Sequence, residues 1–166
     1  MTSWPWLVVD LDRCWGCGAC EVACKVKLGL GPGPGALRVV EIGPRGIGGE
    51  LQRDFVPALC LHCDQAPCLE GCGAGALYRA ADGSVQVGVS ACTGCAACQE
   101  ACPYGAIQQA ADGSIVKCNL CLDRREEGWQ PACVHHCPGR ALALLAAEDL
   151  PRAVGGRFSW SVGRVV

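Results

Sequence analysis

The sequence predicts an α+β fold with little regular structure, built as two related lobes with the central one inserted in the outer one. Three observations carry this expectation. Sixteen cysteines fall into four groups of four. The turn Ala81-Asp82-Gly83-Ser84-Val85 recurs as Ala111-Asp112-Gly113-Ser114-Ile115, and Cys102-Pro-Tyr-Gly-Ala-Ile107 is echoed by Cys137-Pro-Gly-Arg-Ala-Leu142, which points to internal duplication. Aromatic residues are only 5% of 166, so the ordinary apolar core is thin and another agent must hold the chain together.

The cysteine spacings identify that agent. Cys14, Cys17, Cys20 and Cys24 read C-x2-C-x2-C-x3-C, and Cys60, Cys63, Cys68 and Cys72 read C-x2-C-x4-C-x3-C. Cys92, Cys95, Cys98 and Cys102 repeat the first pattern ahead of Pro103, while Cys118, Cys121, Cys133 and Cys137 read C-x2-C-x11-C-x3-C ahead of Pro138. The run C-x2-C-x2-C-x3-C-P is the bacterial ferredoxin arrangement for a [4Fe–4S] cluster, whose fourth cysteine serves the other cluster of a pair. Sixteen thiolates divide into four [4Fe–4S] clusters with none left over. Two other uses of cysteine fit less well. Disulfide frameworks belong to small secreted chains. All-cysteine zinc ribbons use two separated C-x2-C pairs, not four thiols packed together and then repeated.

The local chemistry agrees with a cube wrapped closely by backbone. Gly16, Gly18, Ala19, Gly94, Ala96 and Ala97 permit that approach. A helix starting near the third cysteine carries the fourth away, and the proline behind that cysteine stops the helix. Leu7 to Leu11 and Leu37 to Ile42 read as strands, and Ala19 to Lys27 as a short helix. The stretches from Gly29 to Gly35 and from Gly43 to Gly49 read as loops, without the lysine pattern of a phosphate loop. Asp82-Gly83 reads as a hairpin turn, with Val85, Val87 and Val89 alternating behind it. Leu142 to Leu145 reads as a strand and Glu148 to Val154 as a helical turn. The apolar tail Arg157 to Val166 suggests a segment that docks on something.

Charge and polarity narrow the function classes. The formal charge is −2, and each oxidised cluster with four thiolates adds roughly −2, giving a holoprotein near roughly −10. No basic stripe offsets this, so nucleic acid is not expected as a partner. The N-terminus lacks the basic and apolar regions of a signal peptide, and the longest apolar stretch, Ala141 to Ala147, is far short of a membrane span. The expected location is cytoplasmic, although a partner bearing its own export signal could carry the chain across a membrane.

Four cysteine groups in this order, with the widened last gap, resemble the four-cluster iron–sulfur subunits of the dimethyl sulfoxide reductase family over residues 6 to 147. The resemblance includes Phe55-Val-Pro-Ala-Leu-Cys-Leu-His-Cys63, Pro67 before Cys68, and Lys117-Cys-Asn-Leu-Cys121. The chain also resembles the small iron–sulfur subunits of tungsten aldehyde oxidoreductases, hydrogenases and formate dehydrogenases. The resemblance implies an outer lobe of residues 1–58 plus 113–166 and a central lobe of residues 59–112. It implies crossed ligation: Cys14, Cys17 and Cys20 with Cys137; Cys118, Cys121 and Cys133 with Cys24; Cys60, Cys63 and Cys68 with Cys102; Cys92, Cys95 and Cys98 with Cys72. It further implies a non-catalytic electron-transfer subunit with two partners. One is a large molybdenum- or tungsten-pterin catalytic subunit; the other is a flavoprotein, a ferredoxin or another copy of the chain. The compact length, the missing export signal and the apolar tail favour an aldehyde oxidoreductase within this class. A free-standing polyferredoxin is the rival reading, and the tail's Phe158 and Trp160 weigh against it. An enzyme in its own right would need a vacant iron, which sixteen ligands for four clusters do not leave.

The chain departs from the family pattern where Gly73, rather than proline, follows Cys72. Respiratory members are generally longer, and some relatives lose the ligand that Cys95 retains here. Among the remaining residues, His62, His135 and His136 are expected beside the clusters or at the surface, because four thiolates already serve each cluster. Trp15 is expected to shield a cube from water. Arg13, Lys25 and Lys117 flank ligands and are expected either to raise nearby potentials or to be ordinary solvated charge. Glu126 and Glu127 read as part of a solvated loop, and no catalytic triad, H-E-x-x-H or paired catalytic carboxylates emerge.

Overall fold

Val8 and its neighbours Leu7 and Val9 are buried because strand β1 (Trp6–Asp10) sits in the middle of a sheet rather than at its edge. The computed structural model describes residues 5–150 and the backbone of 158–161. After β1 come helix α1 (Ala19–Leu28) and strands β2 (Leu37–Ile47) and β3 (Glu50–Leu59). Helix α2 (Pro67–Glu70), the hairpin β4 (Leu77–Arg79) and β5 (Val85–Val87), and helix α3 (Ala97–Ala101) follow. A second hairpin, β6 (Ile107–Gln109) and β7 (Ile115–Lys117), leads to helices α4 (Leu122–Glu126) and α5 (Ala132–His135). Strand β8 (Leu142–Leu145) and strand β9 (Phe158–Ser161) flank β1, both antiparallel to it.

The cysteine helices pack in pairs, α1 on α5 and α2 on α3. Each pair brings together the ends of two cysteine groups that are distant in sequence. The apolar side chains gather in two clusters that include the thiols themselves. One holds Leu7, Leu37, Leu59, Leu120 and Leu142 with Cys20, Cys24, Cys60, Cys118 and Cys133. The other holds Leu77, Val85 and Ile107 with Cys68 and Cys98. A thin apolar core is thus completed by sulfur, as composition requires.

The two Asp-Gly-Ser turns are alike in atomic detail. The Asp82 carboxylate accepts from the Ser84 backbone N–H at 3.0 Å and from its hydroxyl at 2.6 Å. Asp112 does the same for Ser114, at 2.9 and 2.6 Å. Aspartate at this position closes each turn locally.

Several expectations need correction. The stretch from Gly43 to Gly49 is the end of a long two-stranded ribbon, β2 against β3, rather than a loop. Gly43-Pro44 breaks the apolar alternation because the register shifts there, between Ile42 and Arg45. Val89 starts a short 3-10 turn instead of extending β5. The span between Cys121 and Cys133 contains helix α4 and leads into α5, with Glu126 and Glu127 exposed at the end of α4. The expected helical turn from Glu148 is a 3-10 turn at Ala147–Asp149; residues 151–154 lie outside the described residues. Of the tail, Phe158–Ser161 pairs with β1 of its own chain, and residues 157 and 162–166 lie outside the described residues. Among the described residues, no helix is long and apolar enough to cross a membrane.

Candidate metal centres

The first C-x2-C loop of each cysteine group reverses the chain through a residue in the left-handed region at the position before its second cysteine. These residues are Gly16 (φ 74°), His62 (φ 48°), Gly94 (φ 69°) and Leu120 (φ 53°). The turn aims a backbone N–H at the first cysteine. His62 N donates to Cys60 Sγ at 3.4 Å, and Leu120 N to Cys118 Sγ at 3.3 Å. Such bonds stabilise a thiolate and hold its direction. Glycine at this position is legible as a turn signal, but His62 and Leu120 are not. Left-handed geometry costs an ordinary residue roughly 1–2 kcal/mol, and both side chains are buried, at 5% and 3% exposure.

Glycine has a second reason at two of these loops. A Cβ on Gly16 would stand 2.4 Å from the Phe55 ring, and one on Gly94 would stand 2.5 Å from the Gly113 carbonyl oxygen. The first contact seats the Cys14 loop on β3. The second seats the Cys92 loop on the β6–β7 turn.

The structure brings thiols that are distant in sequence into company. One cavity is lined by Cys14, Cys17, Cys20 and Cys137, with Trp15, Pro138 and Gly139 around them. Another is lined by Cys60, Cys63, Cys68 and Cys102, with Pro67 and Pro103. Electrostatics reports the same neighbourhoods. Burial pushes the Cys20 thiol up to about 12, and the sulfurs of Cys137 and Cys14 add to it. Burial raises Cys63, helped by Cys60 and Cys102. Burial raises Cys98, helped by Cys72 and Cys92. Burial takes Cys133 to about 12 and Cys24 to about 11, each with a contribution from Cys121, and Cys133 also feels Cys24. Exposed Cys95 moves the other way, held down by the Ala97 N–H and then the Thr93 hydroxyl.

Clustered, buried thiols resist ionisation until a cation arrives. Among the described residues, no three Cys, His, Asp or Glu side chains converge as tightly as one bound ion requires. Thiolates on a single zinc would stand about 3.8 Å apart, from tetrahedral bonds of about 2.3 Å. A four-iron cube is larger and spreads its ligands further, and an all-thiol donor set is the one such a cube takes.

The other residues sort by burial. Trp15 is 59% exposed; it borders the Cys14 cavity and leans on Gly139 at the surface, so it is not a buried shield. Arg13 pairs with Asp10 at 3.4 Å. Lys25 Nζ donates to Gly33 O at 2.7 Å and Gly31 O at 3.3 Å, tying down the loop after α1. His135 and His136 stack edge to face, with ring centres 4.9 Å apart. His62 is buried, and its Nδ1 accepts from Val85 N at 2.9 Å. Burial and then the positive charge of Lys117 hold His62 well below its usual value, which keeps the ring neutral.

A family model described as a 4Fe-4S dicluster domain matches residues 51–146, and one described as a 4Fe-4S binding domain matches residues 7–27. The chain belongs to the 4Fe-4S dicluster family. It is 38% identical over 167 residues to a probable anaerobic dimethyl sulfoxide reductase chain of Escherichia coli K12, covering 93% of this chain and 80% of that one. It is 40% identical over 151 residues to a thiosulfate reductase electron transfer subunit of Salmonella typhi, covering 88% and 79%. A second Escherichia coli K12 protein, a chain of an anaerobic dimethyl sulfoxide reductase, is 36% identical over 167 residues, with coverage of 93% and 80%. Membership gives the cysteines their chemistry: they are those of a [4Fe–4S] family, and sixteen of them fit four clusters.

Proposed function

We propose that the chain is the non-catalytic electron-transfer subunit of a multi-subunit oxidoreductase, relaying single electrons through four [4Fe–4S] clusters. The observation that carries this is the company of the fourth cysteines: Cys137 lines a cavity with the Cys14 group and Cys102 lines one with the Cys60 group. The ligand sets are then Cys14, Cys17, Cys20 and Cys137; Cys24, Cys118, Cys121 and Cys133; Cys60, Cys63, Cys68 and Cys102; and Cys72, Cys92, Cys95 and Cys98. Crossing of this kind sets the two clusters of a lobe side by side. The lobes are residues 1–58 with 113–166 and residues 59–112, with the β6–β7 hairpin straddling the seam between them. When bound, the clusters supply one-electron chemistry; the protein's residues supply the thiolates, the N–H donors and the exclusion of water that tune it.

The catalytic partner is a molybdenum- or tungsten-pterin subunit. The relatives named for sulfoxide and thiosulfate reduction weigh toward a reductase, ahead of the aldehyde oxidoreductase favoured by compactness. That partner seats on the outer lobe, where Cys17 is exposed and the ribbon end presents Ile47 at 52% and Leu51 at 82% exposure. Large apolar side chains held out on a ribbon suit a protein contact. The second partner, a flavoprotein, a ferredoxin or another copy, meets the central lobe near exposed Cys95.

The test is the metal content and the company of the anaerobically purified protein. About sixteen iron and sixteen labile sulfides per chain are expected from four complete sites, together with a large pterin-bearing subunit that copurifies. Iron near eight, or zinc in its place, refutes the four-cluster relay. Ile47→Asp with Leu51→Asp is expected to release the large subunit with iron unchanged.

A further inference from the structure

At the seam between the two halves lies a buried cation. Lys117, at the end of β7, is 4% exposed, and its Nζ donates to Val85 O at 2.5 Å and to Cys118 O at 2.7 Å. Val85 belongs to the other hairpin, so the lysine joins β5 to the Cys118 loop. From Val85 the network continues: its N–H donates to His62 Nδ1, and the His62 N–H donates to Cys60 Sγ. On the other side, the Leu120 N–H donates to Cys118 Sγ. Lys117 therefore stands between the first cysteines of two different quartets. Carbonyl oxygens solvate an ammonium but do not neutralise it, and a buried charge without a counter-charge is costly. Its charge acts on cysteine sulfurs of both groups: it opposes the burial that raises the Cys68 and Cys118 thiols.

We propose that Lys117 is the shared counter-charge of the two quartets that meet at the seam, Cys60–Cys63–Cys68–Cys102 and Cys24–Cys118–Cys121–Cys133, and holds their reduction potentials up together. This deepens the four-cluster reading and rests on it. Gaining an electron adds one negative charge to either centre, and one fixed ammonium between them favours that charge on both sides. Because both centres are raised together, the ammonium leaves the gap between them unchanged and eases the placing of an electron on either side of the seam. Lys117 touches no substrate; it is a positioning and tuning residue, set in place by Val85 and the Cys118 carbonyl.

The test is a redox titration of the anaerobically purified holoprotein followed by electron paramagnetic resonance. Lys117→Met removes the charge, and Lys117→Gln removes it while keeping N–H donors for the two carbonyls. In each variant two of the four midpoints are expected to fall, by about tenfold in the reduction equilibrium, which is about 59 mV for a one-electron couple. The other two should stay. The pair that moves should be the pair perturbed by Cys63→Ser and by Cys121→Ser. A shift in one midpoint alone, or in none while iron is retained, overturns the shared counter-charge. Iron loss from both variants makes Lys117 a structural clasp and overturns it too. The iron content of the unsubstituted protein is a separate arm: iron short of four clusters sinks the relay reading before Lys117 is tested.

Discussion

Arg125 in α4 donates through its guanidinium to the Asp82 carboxylate, 43 residues earlier in the β4–β5 turn. The same arginine donates from Nε to Leu120 O at 2.7 Å, so it also fixes the Cys118 loop. Beside it, Gln86 Nε2 donates to Asn119 O at 3.0 Å. Two hairpins with the same turn sequence have thus taken different tasks: the Asp82 turn is tied to α4 and the Cys118 loop, while the Asp112 turn lies exposed.

Asp82→Ala should therefore cost more than Asp112→Ala. Both lose the turn closure. Only Asp82→Ala also strands a guanidinium whose side chain is 13% exposed, adding roughly 1–3 kcal/mol. Anaerobic denaturant titration of the two variants measures the order. Equal losses would show that the hold of the Asp82 turn on α4 does not depend on Arg125.

Crossed ligation makes a sharper claim. Cys24 follows Cys20 in α1, yet the thiol that raises Cys24 after burial is that of Cys121. Cys24→Ser should therefore damage the centre served by Cys118, Cys121 and Cys133 and spare the one served by Cys14, Cys17 and Cys20. Resonance spectra of the reduced variant, compared with those of Cys121→Ser, decide it: the two variants should lose the same signal. Loss of the Cys14 signal instead contradicts the assignment.

What is legible in the sequence follows from where the information is stored. Cysteine spacing, the Asp-Gly-Ser turns and strands β1 and β8 are legible, because ligand geometry, turn chemistry and apolar runs act over a few residues. The ribbon from Leu37 to Leu59 is only half legible. Its far end is pairing without an apolar face, and Gly43-Pro44 reads as a break when it marks a register shift. The contacts of Lys117 and Arg125 are not legible. Lys117 flanks a ligand and reads either as a charge that raises a nearby potential or as solvated charge, Arg125 reads as part of a solvated loop, and only the docking of one hairpin on a distant loop buries them. His62 and Leu120 carry no left-handed signal of their own; the turn around Cys60 and Cys118 imposes it.

The glycines of the cysteine loops allow a graded test. Gly18, at φ 72°, has nothing within 4 Å of the methyl that alanine would add, so Gly18→Ala should cost only the left-handed strain, about 1–2 kcal/mol. Gly16→Ala adds a clash with the Phe55 ring, which can turn aside. Gly94→Ala adds one with the Gly113 carbonyl, which is backbone and cannot. The expected order of destabilisation is Gly18, Gly16, Gly94, read from anaerobic denaturation and iron retention. Gly94→Ala as mild as Gly18→Ala would show that the Cys92 loop does not rest on the β6–β7 turn.

Iron retention should weaken as pH falls through the neutral range. Burial pushes Cys20 and Cys133 up to about 12, and Cys24 and Cys68 up to about 11, from an ordinary value of 9.0. A thiol so raised is protonated at neutral pH whenever it is not bound to metal, whereas the ligand is the thiolate. Iron binding therefore releases protons, and iron loss takes them up. The sign follows: lower pH favours the protonated, metal-free thiols, and higher pH favours the loaded protein. Each thiol protonated as iron departs steepens the dependence by up to about tenfold per pH unit. With a fixed chelator, corrected for its own protonation, iron retained at equilibrium should fall between pH 8 and pH 6. Retention that is flat across that range, or that falls as pH rises, would mean that the thiols are already ionised without metal. The burial that raises them in this fold would then not govern cluster binding.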